Sequence, residues 1–237
     1  MILRPFFNFY GGKWRSAPRY PPPKYSRIIE PFAGSAGYSV RHHLRSITLY
    51  DADPIIFGIW NYIIKSSPKD LLRLPIDVSH VDDLSVCQEA KWLIGFWLNK
   101  GSSPSKSPSA WMRQGKHNTS FWGKEIRERI ATQSEYIRHW TVINKSYEYC
   151  GNIAATWFID PPYEKSGRLY RYWQVDRDNL SIWARTRRGQ VIVCEQAGAT
   201  WLPFKPFGKI KSLSGPRGKG YSKEMIWENV TQTKTSG

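Results

Sequence analysis

The sequence predicts an α/β protein whose strand–helix alternation is interrupted by a mainly helical insertion. Three observations carry this expectation. Short apolar runs alternate with helix-compatible segments at the start of the chain and again after residue 140. The alternation lapses over residues 66–139. A small-residue turn separates the first strand from the first helix, where α/β folds bind nucleotide-like ligands. A length of 237 residues suits one domain carrying an inserted lobe.

Taken in order, Ser26–Glu30 reads as a short buried strand, Pro31–Ala36 as a turn and Gly37–Arg45 as a helix. Ile47–Asp51 follows as a strand and Pro54–Lys65 as a helix with Pro in its first turn. Strand, turn, helix, strand is the opening of a Rossmann-like sheet. In the insertion, Asp82–Asn99 has Val86, Ala90, Leu93 and Trp97 at helical spacing, and Gly123–Trp140 has Ile126, Ile130 and Ile137. Between them, Lys100–Trp122 is rich in Ser, Pro, Gly and Lys and reads as a long loop or loose hairpin. Thr141–Asn144, Thr156–Asp160 and Gln190–Glu195 resume the strands, with a helix over Asp178–Arg187 capped by Asp178. Pro203–Tyr221 reads as a basic Gly/Pro-containing stretch, Met225–Val230 as a last strand and Thr231–Gly237 as a polar tail.

Composition narrows the partner. Lys and Arg number 35 against 19 Asp and Glu, a net charge of +16. Such a chain attracts polyanions, with nucleic acid ahead of an anionic membrane surface. No apolar run is long enough to span a bilayer, and Arg4, Pro5 and Asn8 break up the start of the chain, so no signal peptide is expected. Cys87, Cys150 and Cys194 are widely spaced and form no CxxC pair. They read as buried structural thiols in a reducing cytoplasm rather than as a zinc site. His42-His43 reads as surface or packing, so no metal is expected.

Four constellations carry chemistry. Glu30-Pro31-Phe32-Ala33-Gly34-Ser35-Ala36-Gly37 lets the backbone approach a ligand closely, without the GxGxxG spacing of NAD enzymes or the Lys of a P-loop. Asp51, beside Ala52, ends the next strand at the distance where a ribose hydroxyl is held, while Asp53 before Pro54 suits a helix cap. Asp160-Pro161-Pro162-Tyr163 follows an apolar strand. An exocyclic base nitrogen is a poor nucleophile because its lone pair is conjugated with the ring. A carboxylate (Asp160) and a carbonyl (Pro161) can accept its two hydrogens. The prolines stiffen the turn, and Tyr163 offers a face to a base rotated out of its stack. Phe9-Tyr10-Gly11-Gly12-Lys13 could touch a cofactor, or could be a flexible arm.

The ordered set FYGGK, EPFAGSAG, LYDAD, an insertion and IDPPY resembles the Dam-like, D12-class DNA adenine N6-methyltransferases, especially compact phage and prophage members. The resemblance spans about residues 6–65 and 141–200. Val193–Gln196 and Trp201–Phe204 also look like the strand and loop that follow DPPY in phage members. It implies a methyltransferase sheet that binds S-adenosylmethionine, needs no metal, and transfers a methyl group to adenine N6 in duplex DNA by base flipping. Site specificity could be strict or relaxed. The implied cofactor contacts are Phe9 or Tyr10, Gly12, Lys13, the 30–35 turn, Asp51, Ala52 and Asp160. Many members carry an acidic residue just after the strand preceding DPPY. Here that stretch is Ile143–Glu148, and Ser146 or Tyr147 would fill the place through its backbone. The implied division is a catalytic domain, 1–65 and 140–237, and a target-recognition insertion, 66–139, in a monomer or alternatively a dimer.

For DNA contact, the loop after Lys100 offers Lys106, Arg113, Gln114, Lys116 and Asn118, with Trp111, Phe121 and Trp122 as candidate wedges. The alternative is a solvated loop with its aromatics folded inward. Arg217 and Lys219 lie in a second basic stretch suited to phosphates. Two other readings stay open. One keeps the chemistry on cytosine N4 or an RNA base, although Ser more often replaces the Asp of DPPY in cytosine N4 enzymes. The other is a basic DNA-binding protein without catalysis.

Overall fold

A seven-stranded sheet, in the order β3-β2-β1-β4-β5-β7-β6, forms the frame. The computed structural model describes residues 1–114, 121–211 and 221–229, with the backbone alone for 111, 209–211 and 221–222. The strands are β1 (Arg27–Glu30), β2 (Ser46–Tyr50), β3 (Thr141–Ile143), β4 (Ala155–Ile159), β5 (Gly189–Gln196), β6 (Lys205–Lys211) and β7 (Tyr221–Glu228). Pairing is parallel from β3 through β5, and β7 is antiparallel to both β5 and β6. The 3-2-1-4-5 order is that of doubly wound sheets and is compatible with a Rossmann-like fold. The strand order reverses between β1 and β4, which opens a crevice at their carboxyl ends.

The central strands are buried on both faces, and their side chains alternate between two cores. Phe158, Ile192 and Cys194 face one apolar cluster, while Trp157, Ile159, Val191 and Val193 face the other. This period of two explains why Trp157–Ile159 and Val191–Cys194 read as unbroken apolar runs. Cys150 and Cys194 are buried, whereas Cys87 is exposed, against the expectation for all three thiols.

The helices are α1 (Gly37–Arg41), α2 (Pro54–Lys65), α3 (Pro68–Leu72), α4 (Gln88–Leu98), α5 (Ala110–Arg113), α6 (Lys124–Ser134) and α7 (Arg177–Arg185). α2 has the expected bounds, because Asp53 caps it by accepting the Ile55 N–H and Pro54 starts it. α1 is shorter than expected. The cap of α7 is Asp176, which accepts the Asn179 N–H; Asp178 lies inside the first turn. β6 occupies part of the stretch expected to be irregular. Its Pro206, Gly208 and lysines are features of an edge strand, and its register shifts between Pro206 and Gly208.

Helices α4 and α6 share one continuous apolar cluster with α2, β1 and β2. The chain start threads into the same cluster. Leu3, Phe6 and Phe7 are fully buried, Phe6 and Phe7 meet the edge of Trp60, and Gln133 of α6 exchanges two hydrogen bonds with the Arg4 backbone. Burying three such side chains contributes about 1.5–3 kcal/mol each. Residues 9–13 therefore lead out of an anchored segment rather than a loose arm.

Candidate functional site

The anchored start of the chain lies against the turn that follows β1. Gly37 is required there, because a Cβ would overlap the backbone of Lys13 and Trp14. Gly34 has φ 45°, a left-handed conformation that favours glycine, and its missing Cβ leaves room for the Phe9 ring. The turn is pinned from three sides. Ala33 N–H donates to the Tyr50 carbonyl (2.9 Å), Gly34 N–H to Asp51 Oδ2 (2.9 Å), and the Trp60 indole N–H to the Gly34 carbonyl (2.8 Å). Asp51 also accepts the Asp53 N–H on Oδ1 (2.9 Å). Its carboxylate organises both loops, and each oxygen keeps a second lone pair.

Across the crevice, β4 delivers the 160–163 turn. Asp160 Oδ1 lies 2.9 Å from Lys13 Nζ, with both side chains largely buried. Lys13 Nζ also donates to the Gly11 carbonyl (3.0 Å) and sits 4.8 Å from the centroid of the Tyr163 ring. The Tyr163 hydroxyl donates to Glu224 Oε2 of β7. From behind, Arg177 Nη2 donates to the Pro162 carbonyl, and its guanidinium lies 5.5 Å from the Trp201 ring centroid and 4.0 Å from Glu195 Oε2. The Trp201 indole N–H donates to the same carboxyl (3.2 Å).

These elements enclose one cleft of about 850 Å³, a volume in the range of small-ligand sites. Every residue expected to touch a cofactor lines it. Phe9, Tyr10, Gly12 and Lys13 come from the chain start, Glu30, Pro31, Phe32, Ala33, Gly34 and Ser35 from the turn, and Asp51 and Ala52 from the end of β2. Ser146, Tyr147 and Asp160 complete the set, together with Pro161, Pro162 and Tyr163. Phe32 stacks on Tyr147 at 5.3 Å and forms an aromatic wall.

The chain is strongly basic, yet beside the helix cap Asp53 the cleft carries four carboxyl groups in or just past strands: Glu30, Asp51, Asp160 and Glu224. Burial raises the pKa of all four. Glu30 is pushed up to about 8, although the Ser39 N–H that its Oε1 accepts at 2.7 Å favours the charged form. Asp51 is pushed up to about 6 against the two amides that it accepts. For Asp160, burial outweighs the opposing pull of Lys13. Burial opposes the Lys13 ammonium, but Asp160 and Glu224 overcome it and hold its pKa above the ordinary lysine value.

The expected DNA contacts fare differently. Phe121 and Trp122 are buried. The Trp122 indole donates to the Pro75 carbonyl (2.7 Å), its backbone N–H donates to the Trp97 carbonyl, and its ring joins the core. Both are thereby corrected from surface wedges to packing residues. Lys106 is exposed and paired with Asp82 at 2.8 Å. Arg113 and Gln114 are exposed at the end of α5, and Arg113 Nη1 donates to the Pro108 carbonyl. Trp111 lies in α5. Lys116, Asn118, Arg217 and Lys219 lie outside the described residues. Among the described residues no His, Cys, Asp and Glu group could hold a metal ion, and no helix is long and apolar enough to cross a membrane.

Sequence reasoning missed Glu224, Arg177 and Tyr170. Tyr170 lines the cleft, donates its hydroxyl to the Tyr10 carbonyl (2.8 Å) and packs on the Phe9 ring. Its only sequence signal was proximity to the DPPY turn. Glu224 gave none, since β7 meets the site only through sheet order.

No protein-family model matches this chain, and no curated protein matches it in sequence. Among solved structures, a conserved hypothetical protein from Streptococcus pyogenes aligns over 86% of this chain and 85% of its own, at 12% identity and a TM-score of 0.40.

Proposed function

We propose that this chain is a DNA adenine N6-methyltransferase of the Dam-like class that uses S-adenosylmethionine. The observation that carries the reading is the single cleft at the sheet's switch point. It gathers four motifs, three from the first 53 residues and the 160–163 turn from more than a hundred residues further on.

The residues present fit that cofactor. Phe32 and Tyr147 offer a wall for an adenine ring, Asp51 has lone pairs left for ribose hydroxyls, and the glycine turn with Gly12 admits close approach. The ionised forms of Asp51 and Asp160 would oppose the positive charges of an ammonium and a sulfonium. When bound, the cofactor supplies the electrophilic methyl group.

The chain's own residues then act on the base. Asp160 accepts a hydrogen bond from the amino group, and the Pro161 carbonyl accepts the other hydrogen. Both draw the nitrogen lone pair out of conjugation with the ring. Lys13 favours the ionised form of Asp160 against the larger, opposing effect of burial, and the carboxylate is the first acceptor for the departing proton. Tyr163, fixed by Glu224 and covered on one face by Lys13, is the ring of the turn that would meet the flipped base. The +16 charge supports DNA as the polymer. Residues 66–139 serve as the target-recognition insertion in this reading.

The test is transfer of a radiolabelled methyl group to duplex DNA. Wild type incorporates label, and Asp160→Ala loses roughly 10²–10⁴-fold in rate or more while retaining its thermal melt. Turnover by Asp160→Ala at the wild-type rate overturns the assignment.

A further inference from the structure

Six consecutive residues, Arg168 to Trp173, border the mouth of the cleft just beyond the 160–163 turn. Tyr170 is tied inward through its hydroxyl on the Tyr10 carbonyl. Ser102 Oγ holds the segment from outside by donating to the Leu169 carbonyl at 2.6 Å. Around this anchor the remaining side chains face solvent. Leu169 is 59% exposed, Tyr172 48% and Trp173 37%. Arg168 and Arg171 are exposed between them, and the Arg168 guanidinium lies 5.7 Å from the Trp173 ring centroid.

Three large apolar side chains exposed within five residues is a concentration that a surface segment acquires when a partner covers it. The cations interleaved among them select the partner's chemistry. A nucleic-acid strand offers base faces and phosphates in alternation, and rings interleaved with arginines match that spacing. Of the three wedges expected in the insertion, Phe121 and Trp122 are buried. The 168–173 segment is an exposed aromatic surface that follows the 160–163 turn closely in the chain.

We infer that Arg168–Trp173 is a second nucleic-acid contact, in which Trp173 and Tyr172 stack on bases flanking the target and Arg168 and Arg171 hold phosphates. This rests on the methyltransferase reading, and it places part of the DNA grip after the catalytic turn rather than in the insertion before it.

The test measures binding of a fluorescein-labelled DNA duplex by anisotropy across a salt series. Trp173→Ala weakens binding roughly 5- to 100-fold with little change in salt slope, and Trp173→Phe restores most of it. Arg168→Ala lowers the salt slope by about one. Neither residue lines the cleft, so thermal melts stay at the wild-type value and exclude misfolding. A Trp173→Ala protein that binds the duplex as wild type does, with the same melt, overturns the inference while leaving the methyltransferase reading intact. Loss of binding to anionic phosphatidylserine vesicles with DNA binding unchanged also overturns it, in favour of a membrane. A wild type that transfers no methyl group to DNA overturns both.

Discussion

Two cations of different kinds hold the 160–163 turn from opposite sides. Lys13 approaches from the cleft and meets Asp160 directly, at 2.9 Å. Arg177 approaches from behind, bonds the Pro162 carbonyl, stacks over Trp201 and stands 4.0 Å from Glu195. Lysine is a compact point charge with rotatable donors, whereas arginine is a rigid planar fork. The side that faces the cleft therefore carries a charge that can tune a carboxylate and re-aim. The side that faces the core carries a fixed brace. One cation sets the charge of the turn and the other its shape.

Removing each cation separates these roles. Lys13→Met takes away the charge that opposes the burial of Asp160. The Asp160 pKa is already raised, and loss of Lys13 raises it further. Asp160 then stays protonated to higher pH, and the acid limb of the methyl-transfer rate moves up in pH with it. A lower rate with an unmoved acid limb would count against the electrostatic role.

Arg177→Lys keeps the charge near Glu195 but loses the fork and the stacking on Trp201. We expect kcat to fall roughly 10- to 100-fold from misplacement of the turn. KM for the cofactor should hold and the acid limb should stay in place. A shifted limb with kcat intact would erase the distinction between the two cations.

Glu30 shows what a buried carboxyl does with no cation in contact with it. Its folded pKa, about 8, lies above the ordinary glutamate value of 4.5. As pH rises from 4.5 to 8 the unfolded chain releases this proton and the folded chain keeps it, so stability declines over that window and levels off above it. Glu30→Gln keeps an acceptor for the Ser39 N–H and removes the titration. Near pH 5 it matches wild type in a denaturant melt, and by pH 8 it is the more stable by a few kcal/mol. Equal stability at both pH values would place Glu30 outside this logic.

Much of the site was legible because its chemistry lives in short turns. The glycine turn, Asp51, Asp53 before Pro54, and DPPY each combine a conformational need with a functional group within a few residues. What escaped depended on distant partners. Trp122 is buried because the Pro75 carbonyl, 47 residues away, accepts its indole N–H. Local sequence shows an aromatic in a polar loop and nothing of that acceptor. β6 was hidden because Pro206 and Gly208, which read as breakers, are tolerated on an edge strand. Asp176 and Asp178 are equivalent cap candidates in sequence, and the backbone turn selected the earlier one. The segment 168–173 belongs to no motif, and its exposure is a property of the folded surface.

The central claim is that this cleft methylates adenine N6, and nucleoside mass spectrometry of DNA from cells expressing the chain tests it most directly. The account predicts N6-methyladenine in the DNA with wild type and none with Asp160→Ala. N4-methylcytosine in its place, methylated bases in RNA alone, or no methylated base with the protein folded and present would contradict it.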